Sequence, residues 1–118
     1  MGTYPGFSVL LEVSEGVALV TPAGELDLNT APELVDKLLF AEQPSVSGIM
    51  LDLGALTFID STGLKVFLEA SKRADANGHR LLFVSVRPEV RRVFEVTGTE
   101  YILDREDAVS LLAERQAR

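Results

Sequence analysis

Two short segments hold the side chains best placed to do chemistry: Gly24-Glu25-Leu26-Asp27 and Phe58-Ile59-Asp60-Ser61-Thr62-Gly63-Leu64. The second pairs a carboxylate with two successive hydroxyls just ahead of an apolar, helix-forming stretch. Either Asp60 or Ser61 can cap that helix, and the hydroxyls of Ser61 and Thr62 then sit on its first exposed turn. A phosphate on Ser61 would face free backbone amides and the positive end of the helix dipole. Gly63 is expected to leave the turn unobstructed to an approaching kinase. The plain alternative is that Asp-Ser-Thr-Gly is a capping sequence and nothing more.

The first segment adds charge. If Asp27 lies beside the same helix end, a phosphate of charge near −2 on Ser61 would crowd the carboxylates at 27 and 60. At an effective dielectric near 20 and ~7 Å separation, one such repulsion is roughly 5 kcal/mol before salt screening. Attraction to the helix dipole is worth at most about 2 kcal/mol. Repulsion therefore dominates, and it can loosen a docked partner without unfolding the domain. The alternative for Asp27 is a solvated turn residue.

Catalytic constellations find little support. Ser61 has no obvious base, because the single histidine, His79, falls in the turn Asn77-Gly78-His79-Arg80 and reads as solvated. Aspartic proteases use Asp, then Ser or Thr, then Gly; here Thr62 intervenes and no second such motif exists. Glu25, Asp27, Asp52 and Asp60 are conceivable metal ligands, but Asp52 and Asp60 are expected on different faces, with Asp52 structural. A phosphoaspartate receiver also places an aspartate after an apolar strand, as in Ile49-Met50-Leu51-Asp52-Leu53. It further needs an acidic pair ending its first strand and a lysine late in the fold, and neither is present here. The expectation is a non-enzyme without metal or cofactor. Arg87, Arg91 and Arg92 lie at one-turn spacing and read as a solvated face or, more sharply, as a docking patch for an acidic partner.

The elements that must position these residues alternate along the chain. Phe7 to Val13 and Val17 to Thr21 flank Ser14-Glu15-Gly16 and predict a β-hairpin. Thr30-Ala31-Pro32-Glu33 has the pattern of a capping box, followed by Leu34, Val35, Leu38 and Leu39 at helical spacing. Ile49 to Leu53 predicts a strand buried on both faces, as parallel sheets require. A helix follows from about Ser61, with Leu64, Phe67, Leu68 and Ser71 as its core stripe, and Asn77-Gly78 ends it. Arg80 to Val86, a helix from Pro88 to Gly98 with Val90, Val93 and Phe94, a strand at Tyr101 to Leu103 and a last helix capped by Asp104 complete the order β-β-α-β-α-β-α-β-α. Such alternation implies an α/β domain: a mostly parallel sheet of about five strands, about four helices and right-handed crossovers.

Size and charge narrow the rest. The 118 residues suit one domain over 1–118, with a core of about 7–112 and flexible ends. A net charge of −7 argues against nucleic acid, whose binding needs a basic face. No cysteine is present, so disulfides and thiolate metal sites are excluded. Neither a signal peptide nor a run of ~20 apolar residues is visible, so the expectation is a cytoplasmic protein without membrane insertion.

Taken in order, Gly24-Glu25-Leu26-Asp27, Leu51-Asp52-Leu53 and Leu56 through Leu64 resemble the anti-sigma factor antagonists and their wider group, the STAS domains. The resemblance continues through Arg87-Pro88-Glu89-Val90 and Val93-Phe94 to Thr97-Gly98. It implies that the unphosphorylated chain binds an anti-sigma factor that is also a serine kinase, releasing a sigma factor. It implies phosphorylation of Ser61, directly after the motif aspartate Asp60, and reversal by a metal-dependent serine phosphatase. Asp27 matches the acidic position beside the phosphosite, and Glu25, Thr62 and Gly63 complete the expected switch surface. The rival within the group is a STAS subunit of a signalling complex or of a lipid ABC transporter.

Overall fold

A computed structural model describes residues 6–97 and 101–102. The chain opens with a hairpin, β1 (Ser8–Ser14) and β2 (Val17–Leu26), in antiparallel register from Ser8 opposite Ala23 to Ser14 opposite Val17. Glu15 and Gly16 both take positive φ, 51° and 80°. This is the two-residue connection whose twist matches that of the paired strands. There follow α1 (Ala31–Ala41), β3 (Gly48–Asp52), β4 (Leu56–Ile59), α2 (Ser61–Asn77), β5 (Arg80–Val84), α3 (Pro88–Thr97) and β6 (Tyr101–Ile102).

The main strand order is β1-β2-β3-β5-β6, parallel apart from the opening hairpin. The mixed α/β sheet is therefore as the alternation predicts, with one addition. β2 runs on past Thr21 to Leu26, and β4, read from sequence as loop, pairs with that extension. The first half of β2 pairs with β3 and the second half with β4. A bulge between Gly24 and Glu25 lets one strand serve both partners. Gly24 sits at φ +106°, and a Cβ there would lie 2.0 Å from the carbonyl oxygen of Gly6, so no other residue fits. The expected strand residue Leu103 and the helix from Asp104 lie outside the described residues.

The main core packs residues of α1, α2 and α3 against the sheet, while Met50, Leu82 and Val84 form a separate buried cluster. Phe67 of α2, Phe83 of β5 and Phe94 of α3 are fully buried, with ring centroids 4.6 to 6.4 Å apart. The stripe α2 buries is Gly63, Val66, Phe67, Ala70 and Ala74. Leu64, Leu68 and Ser71, expected in that stripe, are half-buried at its margins. Small residues at 63, 70 and 74 let the helix lie close to the sheet, and that rotates the larger leucines outward. In α1, Leu34 and Leu38 are buried as expected, whereas Leu39 is exposed. Gly78 closes α2 at φ 75°, its N–H bonded to the Ala74 carbonyl. Arg73 grips the Glu42 carboxylate through two 2.9 Å bonds, tying α2 to the end of α1. That hydrogen-bonded carboxylate holds the guanidinium above its ordinary range.

Candidate functional site

Parallel pairing of β2 with β4 sets Leu26 beside Ile59, so the two chemistry-bearing segments leave the sheet next to each other at the strands' carboxyl ends. Asp60 N–H donates to the Leu26 carbonyl at 3.2 Å and fastens the two exits together. In open α/β sheets, this edge is where functional groups collect.

Asp60 is the N-cap of α2, in extended conformation, and its Oδ1 accepts from the Gly63 N–H at 3.1 Å. With one orphan amide satisfied this way, Ser61 becomes the first helical residue and is exposed, while Thr62 is half-buried. Among the described residues, the Ser61 hydroxyl has no hydrogen-bond partner. Gly63 does not serve to clear the outer approach, as the sequence suggested. It is buried, and a Cβ would stand 2.8 Å from Leu26 Cδ2 and 3.0 Å from Ile59 Cγ2. The glycine lets α2 begin hard against the two strand ends, which leaves Ser61 on the outside.

Beside it, residues 25–30 form a second locked turn. The capping box expected from Thr30 and Glu33 is absent: Thr30 makes no side-chain cap bond to the helix. The buried Thr30 Oγ1 instead donates to the Glu25 carbonyl at 2.7 Å and accepts from the Asp27 N–H at 3.0 Å. Asp27 Oδ1 accepts from the amides of Asn29 at 2.9 Å and Thr30 at 3.2 Å. A carboxylate bound this way is fixed in place rather than freely solvated. Glu25 is exposed and, with Asp27, Asn29, Thr30 and Thr57, lines an open depression of about 430 Å³ against Gly6 and Phe7. The depression brings Glu25 and Asp27 together; Asp60, Ser61, Thr62 and Gly63 lie outside its lining. Thr30 was missed as a positioning residue, although Asp27 three residues before it carried the signal of a side-chain-bonded turn.

Two other sequence readings change, and that of Asp52 does not. Arg87 donates to the Leu56 carbonyl at the start of β4, and Arg91 Nε to the Val86 carbonyl at 3.1 Å. Arg87 thus braces the strand that leads into the site, Arg91 ties down the turn before α3, and of the expected patch only Arg92 is exposed. His79 is not simply solvated: its Nδ1 is buried without a hydrogen-bond partner. Asp52 Oδ1 accepts from the Gly54 N–H at 2.9 Å, a structural role in the turn between β3 and β4. Among the described residues, no three His, Cys, Asp or Glu side chains converge as metal ligands, and no helix is long and apolar enough to cross a membrane.

The same arrangement of sequence and fold occurs elsewhere. A family model described as the STAS domain matches residues 8–110. The anti-sigma-B factor antagonist of Staphylococcus aureus is 33% identical over 84 residues, which cover 71% of this chain and 78% of that protein. An anti-sigma factor antagonist from Mycobacterium paratuberculosis superposes with a TM-score of 0.76 at 27% identity, over 92% of this chain and 97% of that one. SpoIIAA, an anti-sigma factor antagonist solved in its unphosphorylated form, gives a TM-score of 0.76 at 25% identity, over 90% of this chain and 98% of that one.

Proposed function

The chain belongs to the STAS domain family, among the anti-sigma factor antagonists, and from that footing we propose a switch in which phosphorylation of Ser61 ends its grip on an anti-sigma factor. Its relatives are regulators rather than enzymes. The observation that carries the proposal is the position of Ser61: exposed, without a hydrogen-bond partner among the described residues, and held at the mouth of α2 by a cap, Asp60, that binds inward.

In this reading the unphosphorylated surface around Ser61, Thr62 and Glu25 docks on an anti-sigma factor that is also a serine kinase, in the cytoplasm, and a sigma factor is set free. The kinase transfers a phosphoryl group from ATP to the Ser61 oxygen, which loses its proton. A dianionic group then stands by Asp60 and the neighbouring strand exit that carries Asp27. Because Asp27 is pinned by two amides, it cannot swing away from the added charge. Like-charge crowding raises the free energy of any complex that excludes water from this surface. A metal-dependent serine phosphatase hydrolyses the ester and restores the docking form. Gly63 and the Leu26–Ile59 pair keep the helix mouth in place throughout.

The test is to incubate the chain with its anti-sigma kinase and ATP and to map the phosphate by mass spectrometry. Modification at Ser61 is expected, and modification at Thr62 with Ser61 untouched would sink the proposal. Calorimetry should show Ser61→Ala binding the unphosphorylated form's partner and Ser61→Asp binding it at least about tenfold more weakly. Equal affinities would remove charge crowding as the mechanism.

A further inference from the structure

β1 lies at the end of the strand order, with β2 on one side and, among the described residues, no strand on the other. Edges of this kind are normally blunted by lysine, proline or a bulge. β1 has none of these in Ser8-Val9-Leu10-Leu11-Glu12-Val13-Ser14, Glu12 being its single charge, and Leu10 and Val13 are 56% and 54% exposed. Beside its open edge runs a groove of about 610 Å³ between Val9, Leu10 and Leu11 and the flank of α1. That flank is Glu33, Asp36, Lys37 and Phe40, spaced i, i+3, i+4, i+7, so one helical stripe faces the groove. Phe40 is 64% exposed.

We propose that a second copy of this chain occupies the groove, its β1 pairing antiparallel with this β1 about a two-fold axis near Leu11, to make a continuous sheet across a homodimer. The strand reads nearly the same in both directions, which is what an isologous pairing needs. On the face that carries Val9 and Leu11, Val9 meets Val13 of the second copy and Leu11 meets its own counterpart. On the opposite face Ser8 meets Ser14 and Leu10 meets Glu12. The otherwise unexplained exposure of Val13 is relieved by this register.

The helices select the same axis. α1 packs over β1 and β2, so the two-fold sets two α1 helices side by side and antiparallel on one face, at about the 8–10 Å of ordinary helix packing. The stripe then pairs with itself: Asp36 faces Lys37 of the second copy, and Glu33 faces Phe40, whose ring covers the carboxylate's methylenes. Two symmetric Asp36–Lys37 ion pairs result.

Sedimentation equilibrium of the full chain tests the pairing. The apparent mass should rise with concentration from 12.8 kDa toward twice that value. Lys37→Asp puts carboxylates at 36 and 37 against each other across the axis and should weaken association about tenfold or more. Asp36→Lys/Lys37→Asp exchanges the charges and should restore it, while Val13→Lys should abolish it. Residues 13, 36 and 37 are exposed, so the monomer's fold does not depend on them. A wild-type mass of 12.8 kDa at every concentration overturns the proposal. So does a dimer that Lys37→Asp leaves intact, or a double variant no tighter than the single one.

Discussion

Thr30 and Ser61 both stand where a strand gives way to a helix at the same end of the sheet, yet their hydroxyls have opposite fates. That of Thr30 is buried, donating to the Glu25 carbonyl and accepting from the Asp27 amide. That of Ser61 is exposed and unpartnered among the described residues. The preceding carboxylates differ in step. Each accepts from the amide three residues ahead, but for Asp27 that amide belongs to Thr30 itself, whereas Asp60 reaches past Ser61 to the Gly63 amide. One turn is a brace and the other a presented surface. Residue type alone does not separate them; what separates them is which residue of each helix start turns inward, Thr30 itself before α1 but Gly63, two residues past Ser61, in α2.

The most severe way to break the braced turn lies upstream of it. Gly24→Ala introduces a Cβ 2.0 Å from the Gly6 carbonyl oxygen at φ +106°, in the bulge that lets β2 pair with β4. Strain and displaced backbone together should cost about 3–5 kcal/mol, read by urea denaturation. Because the same bulge sets the Leu26–Ile59 register, amide exchange at Asp60 should quicken as well. A loss below about 1 kcal/mol would show that the bulge relaxes freely and does not fix the two exits.

Thr30→Val probes the brace directly. The volume is nearly kept, but the Asp27 amide and Glu25 carbonyl lose their shared partner. Leaving such groups unsatisfied should cost about 1–3 kcal/mol. A neutral substitution would mean that water replaces the hydroxyl, and that the turn is held by the Asp27 carboxylate alone.

How much of this could be read from the chain follows from the same physics. The hairpin, the parallel order around Ile49–Asp52 and Arg80–Val84, and the Asn77-Gly78 stop were legible because apolar runs and turn residues report local conformation. β4 was not, since Thr57 and Phe58 face outward and four residues give too short an alternation. The extension of β2 was hidden by Pro22 and Gly24, which look like breakers but serve as a buried strand residue and a bulge. The rotation of α2 depended on small residues touching the sheet, a feature of packing rather than periodicity. At the site, the position of Ser61 followed from capping chemistry. The lock on Asp27 is a local turn closed by the amides of Asn29 and Thr30, which residue types signal without fixing, whereas the bracing of β4 by Arg87 depends on a carbonyl that only the fold brings near.

The smallest expected effect sharpens the comparison most. Ser61→Ala removes a hydroxyl that, among the described residues, bonds to nothing, from a first-turn position where alanine is a good helix former. Asp60 keeps its bond to the Gly63 amide, so the cap survives. Stability should stay within about 0.5 kcal/mol of the parent in the same urea titration that registers Thr30→Val. If Ser61→Ala costs as much as Thr30→Val, the Ser61 hydroxyl is part of the fold's own bonding. Phosphorylating it would then disturb the domain itself, and a switch that leaves the fold intact could not operate there.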